Sequence, residues 1–150
     1  MKSQKLNEGK IEVTVPKGYK LDSIMPVFYN PVQVLNRDLS ILLLNAIERK
    51  TTKPLRVLDI MAASGIRGLR IKKEVPNVDV TLNDYNKKAA KSIQENAKLN
   101  KLKVKIENKP ANVLLSELNS YDYIDLDPFG TPVPFLDAAI RRLSPHGVIG

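Results

Sequence analysis

Apolar residues recur along this chain with two different periods, and the periods alternate. In "KIEVTV" (10–15) every second residue is apolar, as in a strand with one buried face. Residues 16–38, with Pro16, Gly18, Pro26 and Pro31, read as a loop-rich segment. It carries "VFYNP", where Phe28 and Tyr29 are adjacent. A helix is expected over 38–49, with Asp38 as its N-cap, ended by "KTTKP". Then a regular rhythm begins. "LRVLDI" (55–60) is a continuous apolar run suited to a buried strand. Helical spacing follows over 65–75, with Ile66, Leu69 and Val75. "VDVTLND" (78–84) alternates as a strand, and 86–100 form a helix with Ala89, Ala90, Ile93 and Ala97 on one face. "LKVKIE" (102–107) and "YDYIDLD" (121–127) read as strands around a short helix at 112–118. A helix over 135–143 precedes a last strand introduced by Gly147.

Strand and helix in repeated alternation predict an α/β protein of Rossmann-like type, with a parallel sheet and helices on both faces. Residues 1–50 are expected to form an extension of strand, loop and helix, and 51–150 the Rossmann-like core. Because "VIG" is only the beginning of a fifth strand, the core is expected to be incomplete at its C-terminal end.

Composition changes the picture in a few places. The chain of 150 residues is long enough for one domain with a real core. Neither an apolar run of membrane-spanning length nor a secretory signal is present, which favours a cytoplasmic protein without membrane contact. Without cysteine, and with His146 as the single histidine, a metal site is not expected. The net charge of +8 suits a polyanionic partner. Residues 86–105 hold seven lysines and one acid, Glu95, although a solvated helix face explains such a run as well. No feature of the pattern fixes an oligomeric state.

Ligands of open parallel sheets bind past the carboxyl ends of the strands, so the strand ends belong together. The first gives Asp59 and then the small-residue loop Ala62-Ala63-Ser64-Gly65, with Gly68 behind. Small side chains admit a ligand to the backbone, and a helix N-terminus supplies free N–H groups. The loop lacks the glycines of a pyrophosphate cradle. Asp84, 19 residues past Gly65, ends the next strand, where an acid can accept the ribose hydroxyls of a nucleoside. The fourth strand runs into Asp127-Pro128-Phe129-Gly130. Proline offers a carbonyl and no N–H, so the Asp127 carboxylate and the Pro128 carbonyl present two acceptors, a match for an exocyclic –NH2. Phe129 adds a face on which a flat base can stack.

The motifs "PVFYNP…LNRD", "LDIMAASGIRGLR", "NDYN" and "YIDLDPFGTPVPFLDAAI" together resemble the tRNA (guanine-N2)-dimethyltransferases of archaea and eukaryotes, over roughly residues 10–150. The resemblance implies a class I methyltransferase fold, S-adenosylmethionine as cofactor, and tRNA as partner. It also implies mono- and dimethylation of the exocyclic amine of a guanine at position 26. Arg37 and Arg67 are then expected to help hold the cofactor, together with Asp59, Ala62, Ser64 and Gly65. Asp84 is expected at its ribose and Ala111 near its adenine. Asp127 and Pro128 are the expected catalytic pair, with Phe28, Phe129 and Gly130 at the guanine. In two respects the chain departs from the pattern. The family usually carries an acid before the alanine of the third loop, and Pro110 stands there, which leaves adenine to backbone groups or Asn112. The family also has a further half that helps grip tRNA. "DPFG" is shared with other amino-methyltransferases, so methylation of a ribosomal guanine or a DNA adenine competes with this reading, as does RNA binding without activity.

Overall fold

The run of alternating periods builds a five-stranded sheet in which every neighbouring pair is parallel. A computed structural model describes residues 3–17, 27–117 and 119–150. Its core strands are β3 (Leu55–Asp59), β4 (Val78–Asn83), β5 (Lys105–Glu107), β6 (Tyr121–Asp125) and β7 (Leu143–Ile149). They lie in the order β5-β4-β3-β6-β7, so the chain turns back between β3 and β6. Asp59 and Asp125 are register partners across that reversal. Each ends its strand at the point where such sheets bind ligands.

Helices cover both faces. Leu55, Val57, Val78, Val80 and Leu82 pack with Ile41 and Leu44 of α1 (Val34–Glu48), Leu69 of α2 (Ile66–Glu74), and Ile93 and Ala97 of α3 (Lys87–Leu99). On the other face, Leu58, Ile60 and Ile124 pack with Leu114 and Leu115 of α4 (Ala111–Ser116) and Ala139 of α5 (Val133–Ile140). The period-2 pattern sorts its apolar residues between two cores, as a doubly covered sheet requires. Among the described residues, no helix is long and apolar enough to cross a membrane.

An N-terminal hairpin stands apart from this sheet. Antiparallel strands β1 (Ser3–Glu8) and β2 (Ile11–Pro16) are joined by Gly9 and Lys10, with Gly9 at φ +54°. The first strand was not expected, because Leu6 is the one apolar residue between Gln4 and Glu8. A two-residue connection opened by glycine is nevertheless a hairpin signal.

Several boundaries differ from expectation. The loop-rich reading of residues 18–26 lies outside the described residues. At its far end, Pro31–Gln33 form a 3-10 turn capped by Asn30, whose side chain accepts from Val32 N at 3.0 Å. The turn runs directly into α1, so Asp38 lies inside the helix, and its carboxylate meets Arg70 at 2.7 Å. Strand β5 starts later than its apolar alternation because residues after α3 are used to close the helix. Lys101 adopts φ +54° and Leu102 N donates back to Ala97 O at 2.9 Å, the paired bonds of a left-handed helix end. Conversely, β7 begins before Gly147. His146 takes φ +67°, and a shift of register between Tyr121 and Tyr123 absorbs Pro145 without ending the strand.

Candidate active site

The loop from β3 to α2 is bent by two residues in the left-handed region, Ala63 at φ +48° and Gly65 at φ +78°. Asp84, at the end of β4, holds the first of them. Its Oδ2 accepts from Ala63 N at 2.9 Å and its Oδ1 from Asn86 N at 2.8 Å. Burial raises the pKa of Asp84, and these two N–H groups partly offset the rise. Each carboxylate oxygen keeps acceptor capacity for a further donor. Asp59 is 2% exposed and accepts from Gly68 N at 3.2 Å. A side chain at Gly68 would strike Leu82 at 2.2 Å, so this glycine lets α2 lie against β4. Burial, reinforced by the nearby Asp125, pushes the Asp59 carboxyl well above the usual range. Ala62 and Ser64 are buried, with the Ala62 N–H bound to Asn83 O at 2.8 Å. Small residues, a left-handed turn into a helix and an acid at the next strand end fit an adenosyl cofactor. Asp84 would hold the ribose and the loop backbone the remainder.

Asn83 joins the two neighbouring loops. Its Nδ2 donates to Ile60 O at 2.9 Å and Lys109 O at 3.0 Å, and its Oδ1 accepts from Lys109 N at 3.0 Å. Asn108 adds a bond to Asp84 O at 2.6 Å. Together they fix the approach to Ala111, the first residue of α4, behind Pro110. Sequence reasoning placed Asn83 at a strand end without giving it this task, and it missed Asn108.

The opposite side of the reversal is built on Arg67. Its Nε pairs with Asp125 at 2.9 Å, its Nη1 donates to Asn36 Oδ1 at 2.6 Å and Ser40 Oγ at 3.0 Å, and its Nη2 reaches Asp127 at 3.5 Å. The Tyr123 hydroxyl closes a ring, 3.2 Å from Ser40 Oγ and 3.3 Å from Asp125 Oδ1. Strand β6 therefore ends on Asp125, and Asp127 lies beyond it with its side chain 46% exposed. Burial raises Asp125 to about 6, against the pull of Arg67. The period-2 set Tyr123, Asp125, Asp127 was visible in "YIDLD" and could have revealed Asp125. The fork of Arg67, expected at the cofactor, is spread over these four partners.

Phe28 and Phe129 come together from distant parts of the chain, with ring centroids 4.6 Å apart and planes at 72°. Pro128 is half-buried, while Gly130 is exposed at φ +88° with open space around its Cα. Arg37 has a different setting from the one expected. It is 3% exposed and forks onto Glu8, with Nε–Oε1 at 2.6 Å and Nη2–Oε2 at 2.7 Å. It also donates to Asn30 O at 3.1 Å and lies 5.3 Å over the Tyr29 ring. Glu8 in turn accepts from Arg70 at 2.9 Å and Tyr29 at 3.1 Å. Burial works to raise the Glu8 pKa, but these cations and hydrogen bonds outweigh it and bring the pKa down. The hairpin thus anchors the segment that carries Phe28. Lys87, Lys88, Lys91 and Lys98 lie exposed on α3, which begins three residues after Asp84.

A family model described as N2,N2-dimethylguanosine tRNA methyltransferase matches residues 7–150. A tRNA (guanine(26)-N(2))-dimethyltransferase of Methanopyrus kandleri is 42% identical over 156 residues, covering 100% of this chain and 39% of that protein. The corresponding protein of Pyrococcus furiosus is 39% identical, with 97% of this chain and 41% of that one covered. Among solved structures, Trm1 from Pyrococcus horikoshii in complex with S-adenosyl-L-methionine superposes with a TM-score of 0.85 at 35% identity, over 97% of this chain and 41% of that chain. Trm5b from Pyrococcus abyssi, at 21% identity and a TM-score of 0.74 over 98% of this chain and 39% of that one, shares the fold. The chain spans about two fifths of the length of the curated relatives it matches. A match over nearly its whole length places it by descent as well as by fold: the chain belongs to the N2,N2-dimethylguanosine tRNA methyltransferase family.

Proposed function

We propose that this chain is the cofactor-binding and catalytic portion of a cytoplasmic tRNA guanine-N2 methyltransferase, acting at guanine 26 and adding one methyl group and then a second. The observation that carries the reading is the meeting of two loops across the reversal of strand order. The loop anchored by Asp84 lies on one side and Asp127-Pro128-Phe129-Gly130 on the other, and Arg67 of α2, the helix that follows the first loop, reaches Asp127 at 3.5 Å. The names of the relatives and the cofactor in the Pyrococcus horikoshii structure support it.

S-Adenosylmethionine, when bound, supplies a methyl group on a sulfonium, an electrophile that leaves a neutral thioether behind. The protein's share is positioning and charge. Asp84 would hold the ribose, and the backbone of Ala62, Ser64 and Gly65, braced by Asp59, would receive the rest. Ala111 would serve the adenine end, with Asn112 or backbone groups in place of the acid that Pro110 replaces. The target guanine leaves its stack, as base-modifying enzymes require, and is held by Phe28 and Phe129 over the turn at Gly130. Its amine lone pair is delocalised into the ring and is a poor nucleophile. N–H bonds to the Asp127 carboxylate and the Pro128 carbonyl localise that pair and aim it. As the N–C bond forms, the nitrogen becomes positive and Asp127 stabilises it and takes its proton. Arg67 keeps Asp127 at its post, and Arg37 contributes through Glu8 and Tyr29 to the placement of Phe28.

Incubation of unmodified tRNA with the protein and methyl donor, followed by nucleoside mass spectrometry, tests the reading. The expected products are N2-methylguanosine and N2,N2-dimethylguanosine from position 26. Methylation of ribosomal guanine or DNA adenine in place of tRNA would transfer the site to another substrate. Tight tRNA binding with no methylated product would reduce it to RNA recognition.

A further inference from the structure

The outer edge of β2 is paired by side chains. Asn100 accepts from Glu12 N at 3.0 Å and donates to Glu12 O at 2.6 Å. Asn96 accepts from Thr14 N at 2.8 Å and donates to Thr14 O at 3.3 Å. A side-chain amide carries the same donor and acceptor as a peptide group. Residues four apart on a helix are separated by about 6 Å of rise, and residues two apart on a strand by about 6.6 Å. The two asparagines of α3 therefore match Glu12 and Thr14 rung for rung, as a third strand of the hairpin would. They also cover an edge that would otherwise be open to another chain.

Asn96 has one more hydrogen to place. Its Nδ2 donates at 3.0 Å to the carbonyl of Ser64, the residue between left-handed Ala63 and Gly65. Asn96 is 1% exposed and sits inside a helix, where asparagine is a weaker helix former than alanine. The site tolerates it because its polar atoms find partners. One side chain thus ties together the hairpin, α3 and the loop read above as the cofactor's.

We infer that Asn96 is a positioning residue of the Ala62–Gly65 loop, and that the hairpin is docked through an amide ladder whose last rung ends on that loop. The link to cofactor affinity rests on the proposed function, while the hold on the loop does not. Asn100 supplies the control, since it makes the same kind of rung without touching Ser64. Asn96→Ala and Asn100→Ala are both expected to lower Tm through weakened hairpin docking. Only the Asn96 variant should raise the dissociation constant for S-adenosylmethionine, by about tenfold, the effect of one lost buried hydrogen bond. It alone should speed hydrogen exchange of the Ala63 and Gly65 amides in the absence of cofactor. Asn96→Asp keeps the acceptor for Thr14 N but loses both donors, to Thr14 O and to Ser64 O, and should show the same two changes together with a lower Tm. Parent protein that binds no S-adenosylmethionine would overturn the proposed function, while the exchange rates would still decide the role of Asn96. Equal loop exchange in the Asn96 and Asn100 variants, or none above the parent in either, would overturn the inference.

Discussion

The rings of Phe28 and Phe129 meet edge to face, 4.6 Å between centroids, although 100 residues separate them in the chain. Phe129 remains 56% exposed, so the contact forms at the surface and can be parted. A flat base entering between them exchanges ring–ring contact for ring–base contact. Phe129→Leu is therefore expected to weaken binding of the target guanine by about 1–3 kcal/mol, the range for a lost stacking platform. The measurement is KM for tRNA, with cofactor affinity as the control. An unchanged KM would leave the aromatic pair as packing alone.

Asp84 has two tasks, and they separate. Its bonds to Ala63 N and Asn86 N shape the loop, and its remaining acceptor capacity is available to ribose. Asp84→Ala should weaken S-adenosylmethionine binding by about 1.5–3 kcal/mol, as for hydrogen bonds to a charged group. Asp84→Asn keeps one acceptor and a smaller part of the loss is expected. Calorimetry on the two variants checks the order, and identical affinities in Asp84→Ala and the parent would remove this residue from the site.

Asp125 makes the fold sensitive to pH in a stated direction. Arg67, Arg37, Asp59, Asp127 and Tyr123 all face or influence it, and burial outweighs the cations, so its pKa rises from 3.8 to about 6. Between those two values the folded chain binds more protons at this group than the unfolded chain. The contribution of Asp125 to stability therefore falls as pH rises from about 4 to 6 and is level above that. Asp125→Asn removes the titration. Urea unfolding at pH 4, 5, 6 and 7 should show the parent losing stability relative to the variant across the first three points. A constant difference would mean that Arg67 holds Asp125 ionised throughout.

The lysines of α3 offer a test of whether this face meets RNA. Lys87, Lys88 and Lys91 are exposed, and among the described residues the ion pair of Lys91 is a long one, to Glu95 at 3.9 Å. Phosphate contacts release counterions, so replacing all three by Gln should flatten the logarithmic dependence of tRNA affinity on salt by about 0.9 for each lysine that touches a phosphate. An unaltered slope would return the run to the role of a solvated helix face.

What the sequence made legible follows from the range of the interactions involved. Apolar period and strand-end acids are local, and they located β3, β4, β6, α2, α3, the small-residue loop and "DPFG". Phe28 and Phe129 were expected on either side of one base, because a resemblance carried them; their direct ring contact was not anticipated. The Glu8–Arg37–Arg70 cluster was not legible, since it joins a hairpin to two helices, and β1 lacks the apolar alternation that announces a strand. Arg37 and Arg67 were both expected at the cofactor, whereas their charges are met within the protein by Glu8 and by Asp125 with Asp127. Asn96 and Asn100 read as ordinary polar helix residues. Their meaning depends on a strand more than 80 positions away.

Asp127 is where these lines meet, and its variants divide charge from orientation. It stands just past the end of β6, partly exposed, with Arg67 at 3.5 Å and Pro128 fixing the backbone beside it. Asp127→Ala should leave S-adenosylmethionine affinity nearly intact, because its proposed partner is the base. Turnover should fall by roughly 10²–10³, the usual cost of one oriented group at a developing charge. Asp127→Asn keeps a single acceptor oxygen and cannot take a proton. If orientation of the amine dominates, Asn retains much of the rate; if charge and proton acceptance dominate, Asn falls as far as Ala. The second outcome is expected, because the nitrogen acquires a full positive charge as the methyl arrives, and the Pro128 carbonyl can share the orienting task but not the proton. Single-turnover rates with saturating cofactor read this without interference from product release. An Asp127→Ala protein that methylates guanine at the parental rate would show that the carboxylate only braces Arg67 and shapes the turn.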